Sequence, residues 1–484
     1  MPALPALLAA LVVTASPGPA RPAPSAAASP HAATPRTFRV DYLHAGTATS
    51  ELFALERLVL EPLPFPGRPD RAVDDTNLGR YLFEVRDRAT NRLLYSRGFA
   101  SIYGEWETTP EARTMARAFS ESLRFPRPAA PVQVVVKKRG ADLAFREVWS
   151  LLVDPRDQEV DDAPPPSPGP VVELQRSGPP EEKLDLLLVG DGYTAAERDR
   201  FVADARRLTE ALFAKEPWKS RRGDVNVWGL CPPADQAGVS RPSTGQHRRS
   251  RVGMTYDAFR AERYLLAFDN RSLRDVASFA PYDALALIGN GETYGGGGIF
   301  GLYATVAAGS RWSEYTFVHE LGHSVAGLAD EYFTSDPVYA PSAERPEVWE
   351  PNVTADPKAA KWADLLGPNV ALPTPWPREK FTREALEIQG LRKAIRARNG
   401  PEAEMDALFS SQQKAETALL SPVNGPVGAF EGANYEATGY FRPQADCVMF
   451  SRDEVPFCKV CRRALDRIID LYAAPPGSQR TPSN

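Results

Sequence analysis

The chain has 484 residues, 43% of them hydrophobic and 25% charged, which is enough apolar material for more than one buried core. Its 57 Lys and Arg against 62 Asp and Glu leave a formal net charge of -5, so there is no basic footprint for a nucleic acid. Beyond the first residues no segment is long and apolar enough to span a bilayer.

An apolar run from Leu4 to Val13, followed by the small residues Ala15 and Ala20, predicts a secretory signal peptide over residues 1–20 and a secreted or periplasmic protein. Residues 21–36 are rich in Pro and Ala and read as an extended linker. From 37 to 154 short runs alternate apolar and polar positions, among them Phe38 to Tyr42, Tyr81 to Val85, Val132 to Val136 and Trp149 to Val153. This pattern predicts an N-terminal β-sandwich with a supporting or substrate-presenting role. Residues 155–182, with Pro164-Pro165-Pro166 and Pro179-Pro180, read as a second linker.

Over residues 183–475 strands alternate with helices, so the fold class expected for the whole chain is α+β. Leu184 to Val189 is a continuous apolar strand, and Thr194 to Glu197 spells a capping box. A helix follows with Phe201, Ala205, Leu208 and Leu212 on one face. Strands are expected at Val225 to Leu230 and Ala284 to Ile288, with a helical stretch near Tyr264 to Phe268. Gly295 to Gly298 lacks the Lys-Ser or Lys-Thr of a phosphate loop; it reads as a turn bringing an edge strand to which an extended peptide can add. Residues 335–425 are polar and proline-punctuated, with an amphipathic stretch from Phe381 to Arg398, and read as a surface insertion. Asn352-Val353-Thr354 is formally a glycosylation sequon, and residues 476–484 read as a disordered tail.

Residues 319–323 read His-Glu-Leu-Gly-His. On a helix His319 and His323 lie one turn apart and project toward a single ion, while Glu320 is placed to act as base on a water at that ion. Zinc brings the pKa of such a water to about 7. The surrounding Tyr315, Phe317, Val318, Leu321 and Val325 are those of a core helix, stopped by a left-handed cap at Gly327. Gly322 within it implies close approach of another backbone or of substrate. For a third ligand His31, His44 and His247 are poorly placed, which leaves Asp330 as the best candidate and Glu331 as its competitor. The four cysteines, Cys231, Cys447, Cys458 and Cys461, favour disulfides in an exported protein. The Cys458-x-x-Cys461 spacing offers a structural zinc site as the rival.

A glycine followed by a third ligand resembles the metzincin zinc peptidases. The blocks GGGGIFGLYA, HELGHSVAGLADEYF, FEGANYEATGYFRP, DCVMF and FCKVC are, more narrowly, similar to the igalysins, the IgA-peptidase-like metallopeptidases. The resemblance covers nearly the whole mature chain and implies a metzincin-like catalytic domain with a Met-turn at Met449 and one catalytic zinc ion. Gly327 and Asp330 each lie one residue further from His323 than in the commonest metzincin pattern, which keeps Glu331 in play. Tyr435 and Tyr440 precede Met449, and Tyr440 is favoured as the phenol that stabilises an oxyanion. Arg442 would bind a substrate carboxylate or brace Asp446. The expected activity is a zinc endopeptidase acting on polypeptides with Glu320 as general base. The alternatives are a zinc-retaining polypeptide- or glycan-binding protein, and an amidase acting on a cell-wall fragment.

Overall fold

A computed structural model describes residues 34–335 and 344–474. The expected signal peptide, most of the first linker and the C-terminal tail lie outside the described residues. From Pro35 on, the described residues form one compact unit.

The N-terminal part is built from strands β1 (Arg36–Gly46), β2 (Glu51–Pro64), β3 (Tyr81–Asp87) and β4 (Leu93–Phe99), a short helix α1 (Ile102–Trp106), then β5 (Arg117–Pro126), β6 (Val132–Arg139), β7 (Phe145–Val153) and β8 (Val160–Asp161). They form two four-stranded sheets, ordered β5-β1-β2-β8 and β4-β3-β6-β7. Alternate apolar residues of both sheets, such as Phe38, Val40 and Tyr42 with Phe83, Val85 and Val134, fill one core between them. The other face of β1 is buried as well, although polar. Arg39 there contacts Asp41 at 2.9 Å, Glu61 at 3.1 Å and Asp275 at 2.6 Å. That network ties the first sheet to the rest of the molecule.

The second part begins with β9 (Val172–Gln175), which lies inside the expected linker. It pairs antiparallel with a later strand, so the proline-rich stretch ends as a sheet edge. Then come β10 (Leu184–Asp191), α2 (Arg198–Phe213), β11 (Val225–Leu230), β12 (Met254–Thr255), β13 (Leu266–Ala267), α3 (Asn270–Ala277), β14 (Ala284–Gly289), β15 (Gly296–Ile299), β16 (Tyr303–Ala307) and α4 (Ser313–Ala326). The central sheet runs β15-β16-β14-β10-β11-β9. Its four inner strands are parallel, whereas β15 and β9 are antiparallel edges. Burial on both faces explains the continuous apolar run of β10, all eight residues of which are buried. The capping box at Thr194 and Glu197 is formed, and α2 buries Phe201, Ala205, Leu208 and Leu212.

The helix expected near Tyr264 to Phe268 is absent. Leu265 N–H donates to the Gly296 carbonyl at 3.2 Å and Leu266–Ala267 pairs with Met254–Thr255, so neighbouring strands hold this segment extended. Beyond α4 come α5 (Arg378–Ala397), α6 (Glu402–Leu420), the hairpin β17 (Phe430–Ala433) and β18 (Glu436–Arg442), and α7 (Lys459–Tyr472). Arg442 is fully buried between the rings of Trp376 and Phe450 and donates to the carbonyls of Gly432 at 2.7 Å and Ala445 at 3.1 Å. It braces backbone and does not face a cleft. Asn352 of the sequon is also fully buried, its amide engaged with Ala329 and Glu331.

Candidate active site

Helix α4 is held by Phe317, Val318, Leu321 and Val325, all buried against the sheet, and ends at Gly327. At φ 60° Gly327 adopts the left-handed conformation and sends its N–H back to the Gly322 and His323 carbonyls, so the chain reverses beneath the helix. That reversal delivers Asp330 to the two histidines. Its Oδ1 lies 3.0 Å from His319 Nε2 and 3.2 Å from His323 Nε2, and the two Nε2 atoms are 3.1 Å apart.

The outer ring nitrogens fix the tautomers. His319 Nδ1 lies 2.9 Å from the Val448 carbonyl and His323 Nδ1 2.5 Å from the Leu328 carbonyl. A carbonyl only accepts, so both Nδ1 atoms carry the proton and both Nε2 atoms present lone pairs. Three acceptor atoms at 3.0–3.2 Å in a buried site need a cation between them. Two imidazoles and a carboxylate are also a borderline-soft donor set of the kind that holds a first-row divalent ion. The residues therefore fit a metal. Without a metal the cation is a proton: burial lowers the His323 imidazole, but Asp330 raises it more, to about 9, so a metal taking the site displaces a proton from His323 Nε2. Burial likewise works to raise Asp330, yet the two imidazoles hold it well below the carboxylate range.

Asp330 and Glu331 diverge. Asp330 meets the histidines, whereas Glu331 turns away from them to Cys458 and Cys461. Glu320 shares the cavity with the histidines, a space of about 130 Å³. Burial raises its carboxyl above the usual range, against the pull of His319 and His323.

The glycine run forms the opposite wall. Strand β15 lies so close to α4 that a Cβ on Gly298 would sit 2.5 Å from the Glu320 carbonyl oxygen and 2.7 Å from His323 Cβ. Gly295 and Gly297 direct their main-chain groups at β16, so those of Gly296 and Gly298 face outward. Gly296 meets Arg263 and Leu265 there, and Gly298 opens on the cavity. Gly322, in turn, faces neither backbone nor substrate: the Met449 sulfur is 2.8 Å from where its Cβ would be, with Phe457 at 3.1 Å. Met449 thus lies directly under the helix.

The structure does not bring Tyr440 to this cavity. Its hydroxyl donates to the Pro346 carbonyl at 2.8 Å, and its ring packs with Ala329, Val353 and Ala433. Tyr435 lines the cavity, with its hydroxyl on Asp330 Oδ2. It arrives there because Asn434 and Tyr435 are the two-residue turn of the β17–β18 hairpin, with φ of 51° and 63°. Positive φ at both turn positions is the twist such a hairpin favours, and a bulky residue there is unusual. Further lining residues escaped the sequence reading, among them Glu105 from α1, Arg263 and Tyr332. Burial pushes the Glu105 carboxyl up to about 7. Glu105 and Arg263 lie in stretches with no motif, so only the fold joins them to α4.

The four cysteines are free thiols. The expected disulfides are not formed, for Cys447 and Cys461 have their sulfurs 3.9 Å apart where a bonded pair needs about 2.05 Å.

A model of the IgA Peptidase M64 family matches residues 172–469, and a model of the Peptidase M64 N-terminus matches residues 30–150. The chain belongs to the M64 peptidase family. It is a metallopeptidase, a hydrolase of polypeptide substrates, with candidate metal-binding residues in His319, Glu320 and His323. No curated protein matches the chain. Among the described residues no helix is long and apolar enough to cross a membrane.

Proposed function

We propose that this M64 peptidase is an exported, zinc-dependent endopeptidase with a metzincin-like catalytic domain, in which His319, His323 and Asp330 hold the metal and Glu320 is the general base. The observation that carries this reading is the convergence of three lone-pair donors 3.0–3.2 Å apart in the cavity that Glu320 lines. Residues 37–154 act as a support and residues 183–475 as the catalytic domain, with 335–425 shaping the cleft. Met449 under Gly322 takes the part of the Met-turn.

Held by these residues, a zinc ion would supply Lewis acidity to the scissile carbonyl and to an attacking water. Glu320, raised by burial, takes the proton of the attacking water and passes it to the departing amine nitrogen as the C–N bond breaks. Tyr435 replaces Tyr440 as the phenol that donates to the carbonyl oxygen as it gains charge, its O–H turning there from Asp330 Oδ2. The outward N–H and C=O of Gly298 pair with an extended substrate, so the peptide lies along β15 across the metal residues.

Chelation followed by metal add-back tests this. Dialysis against a chelator abolishes cleavage of a peptide library, and zinc restores it. Cleavage that survives complete removal of metal contradicts the proposal.

A further inference from the structure

About one residue away from the active-site carboxylate, the chain builds a second cluster of metal donors. Glu331, Cys447, Cys458 and Cys461 are all buried, and one ligand atom from each lies within 4.8 Å of every other. Cys461 Sγ is 3.2 Å and Cys458 Sγ 3.8 Å from Glu331 Oε1, and Cys447 Sγ is 3.9 Å from Cys461 Sγ. A tetrahedral zinc ion with bonds of about 2.3 Å to sulfur and 2.0 Å to oxygen puts its ligand atoms about 3.5–3.8 Å apart. The cluster therefore has the size of a closed four-ligand site, and is too open for a disulfide.

The main chain is arranged for thiolates. Cys458 N–H donates to Cys447 Sγ at 3.1 Å, and Cys461 N–H donates to Cys458 Sγ at 3.4 Å across the first turn of α7. Glu331 is fully buried, and its Oε2 has no hydrogen-bond partner. A carboxylate in that position needs a cation. Arg442 acts on Glu331 and Cys447 electrostatically, but its guanidinium donates to the carbonyls of Gly432 and Ala445.

We propose that Cys447, Cys458, Cys461 and Glu331 form a second, structural zinc site, separate from the catalytic one. Three thiolates and one carboxylate fill all four positions of a tetrahedron, which leaves none for water and makes the site structural. Binding releases the thiol protons to solvent. The remaining negative charge is offset by Arg442 and by the two N–H···S bonds. The ion would cross-link three segments: the loop after α4 that carries Asp330, the turn whose Val448 carbonyl holds His319, and α7. It serves to lock the third catalytic ligand in place.

The test uses the full-length protein purified under reducing conditions, with zinc quantified after dialysis against metal-free buffer. Wild type holds two equivalents, and the variant combining His319→Ala with His323→Ala holds one. Exchange of that remaining ion for cobalt gives an intense thiolate-to-cobalt charge-transfer absorption in the near ultraviolet, a readout that needs no cysteine variant to fold. Cys461→Ser, if it folds, loses one equivalent and the band. Three outcomes overturn the site: wild type with a single equivalent that vanishes with the histidines, a cobalt form without the thiolate band, or a disulfide among the three cysteines in the native protein. One equivalent with the band in wild type and in the histidine variant alike would sink the catalytic reading and leave this site standing.

Discussion

At the level of single residues, place in the fold separates side chains of the same type. Tyr435 and Tyr440 are both phenols on the same hairpin, yet only Tyr435 reaches the cavity. Tyr435→Phe is expected to lower kcat by about 10²–10³-fold with metal content unchanged, because a donor to the developing oxyanion is lost. Tyr440→Phe leaves kcat within a few-fold of wild type. Steady-state kinetics on one peptide separates them, and equal losses would contradict the assignment. His44, which does not line the catalytic cavity, is a stability element: its Nδ1 lies 2.9 Å from Glu121 and its Nε2 2.8 Å from Glu51. Burial lowers this imidazole, but the two carboxylates outweigh it and raise its pKa above the usual value. A raised histidine stabilises the fold fully below its unfolded pKa of about 6.5 and loses that contribution as pH rises through the folded value. His44→Gln is therefore expected to cost about 3–5 kcal/mol at pH 6 and less at pH 9. Denaturant unfolding at both pH values checks this, and a cost independent of pH would count against a charged His44.

Between elements, the active site depends on two close approaches that only glycine permits. Gly298 lets β15 lie flush on α4, and Gly322 lets Met449 sit beneath it. Gly298→Ala puts a methyl group against the Glu320 main chain, an overpacking expected to cost about 1–3 kcal/mol and to reduce activity further by shifting β15 or α4. Thermal unfolding and kinetics on the purified variant read both effects; unchanged activity would mean that β15 does not align the substrate. Much of this architecture was legible in advance. Period-two alternation marked β1, β3, β6 and β7, a continuous apolar run marked β10, strands were expected at β11 and β14, and the His-Glu-x-x-His spacing marked the working face of α4. What the sequence could not show depends on tertiary contact. The segment at 264–268 has apolar residues compatible with helix, but the edge strand captures it. Asp330 and Glu331 are adjacent acids whose places separate only in three dimensions, one at the histidines and the other at the cysteines. The C-x-x-C pair hinted at metal, yet Glu331 and Cys447 join it only in three dimensions. Glu105 and Arg263 carried no local signal at all.

At the scale of the whole molecule the N-terminal sheets are part of the enzyme's body. Ile102, Tyr103 and Trp106 of α1, with Phe119 of β5, belong to the same apolar core as β10 and β14, and Glu105 of α1 enters the catalytic cavity. Arg39 meets Asp275 across the same boundary. Expression of residues 165–484 alone is expected to yield an insoluble or partly unfolded product, since it bares that apolar face and unpairs part of a buried charge network. A soluble, cooperatively unfolding and active fragment would show the N-terminal part to be dispensable.

The central claim is that Glu320 drives peptide hydrolysis beside a metal held by His319, His323 and Asp330. It is tested most directly by incubating wild type and Glu320→Ala side by side with a denatured-protein library while measuring bound zinc in both. Cleavage by wild type alone, with equal zinc in the two proteins, is the expected result. Equal cleavage by both, or wild type that binds no zinc, would contradict it.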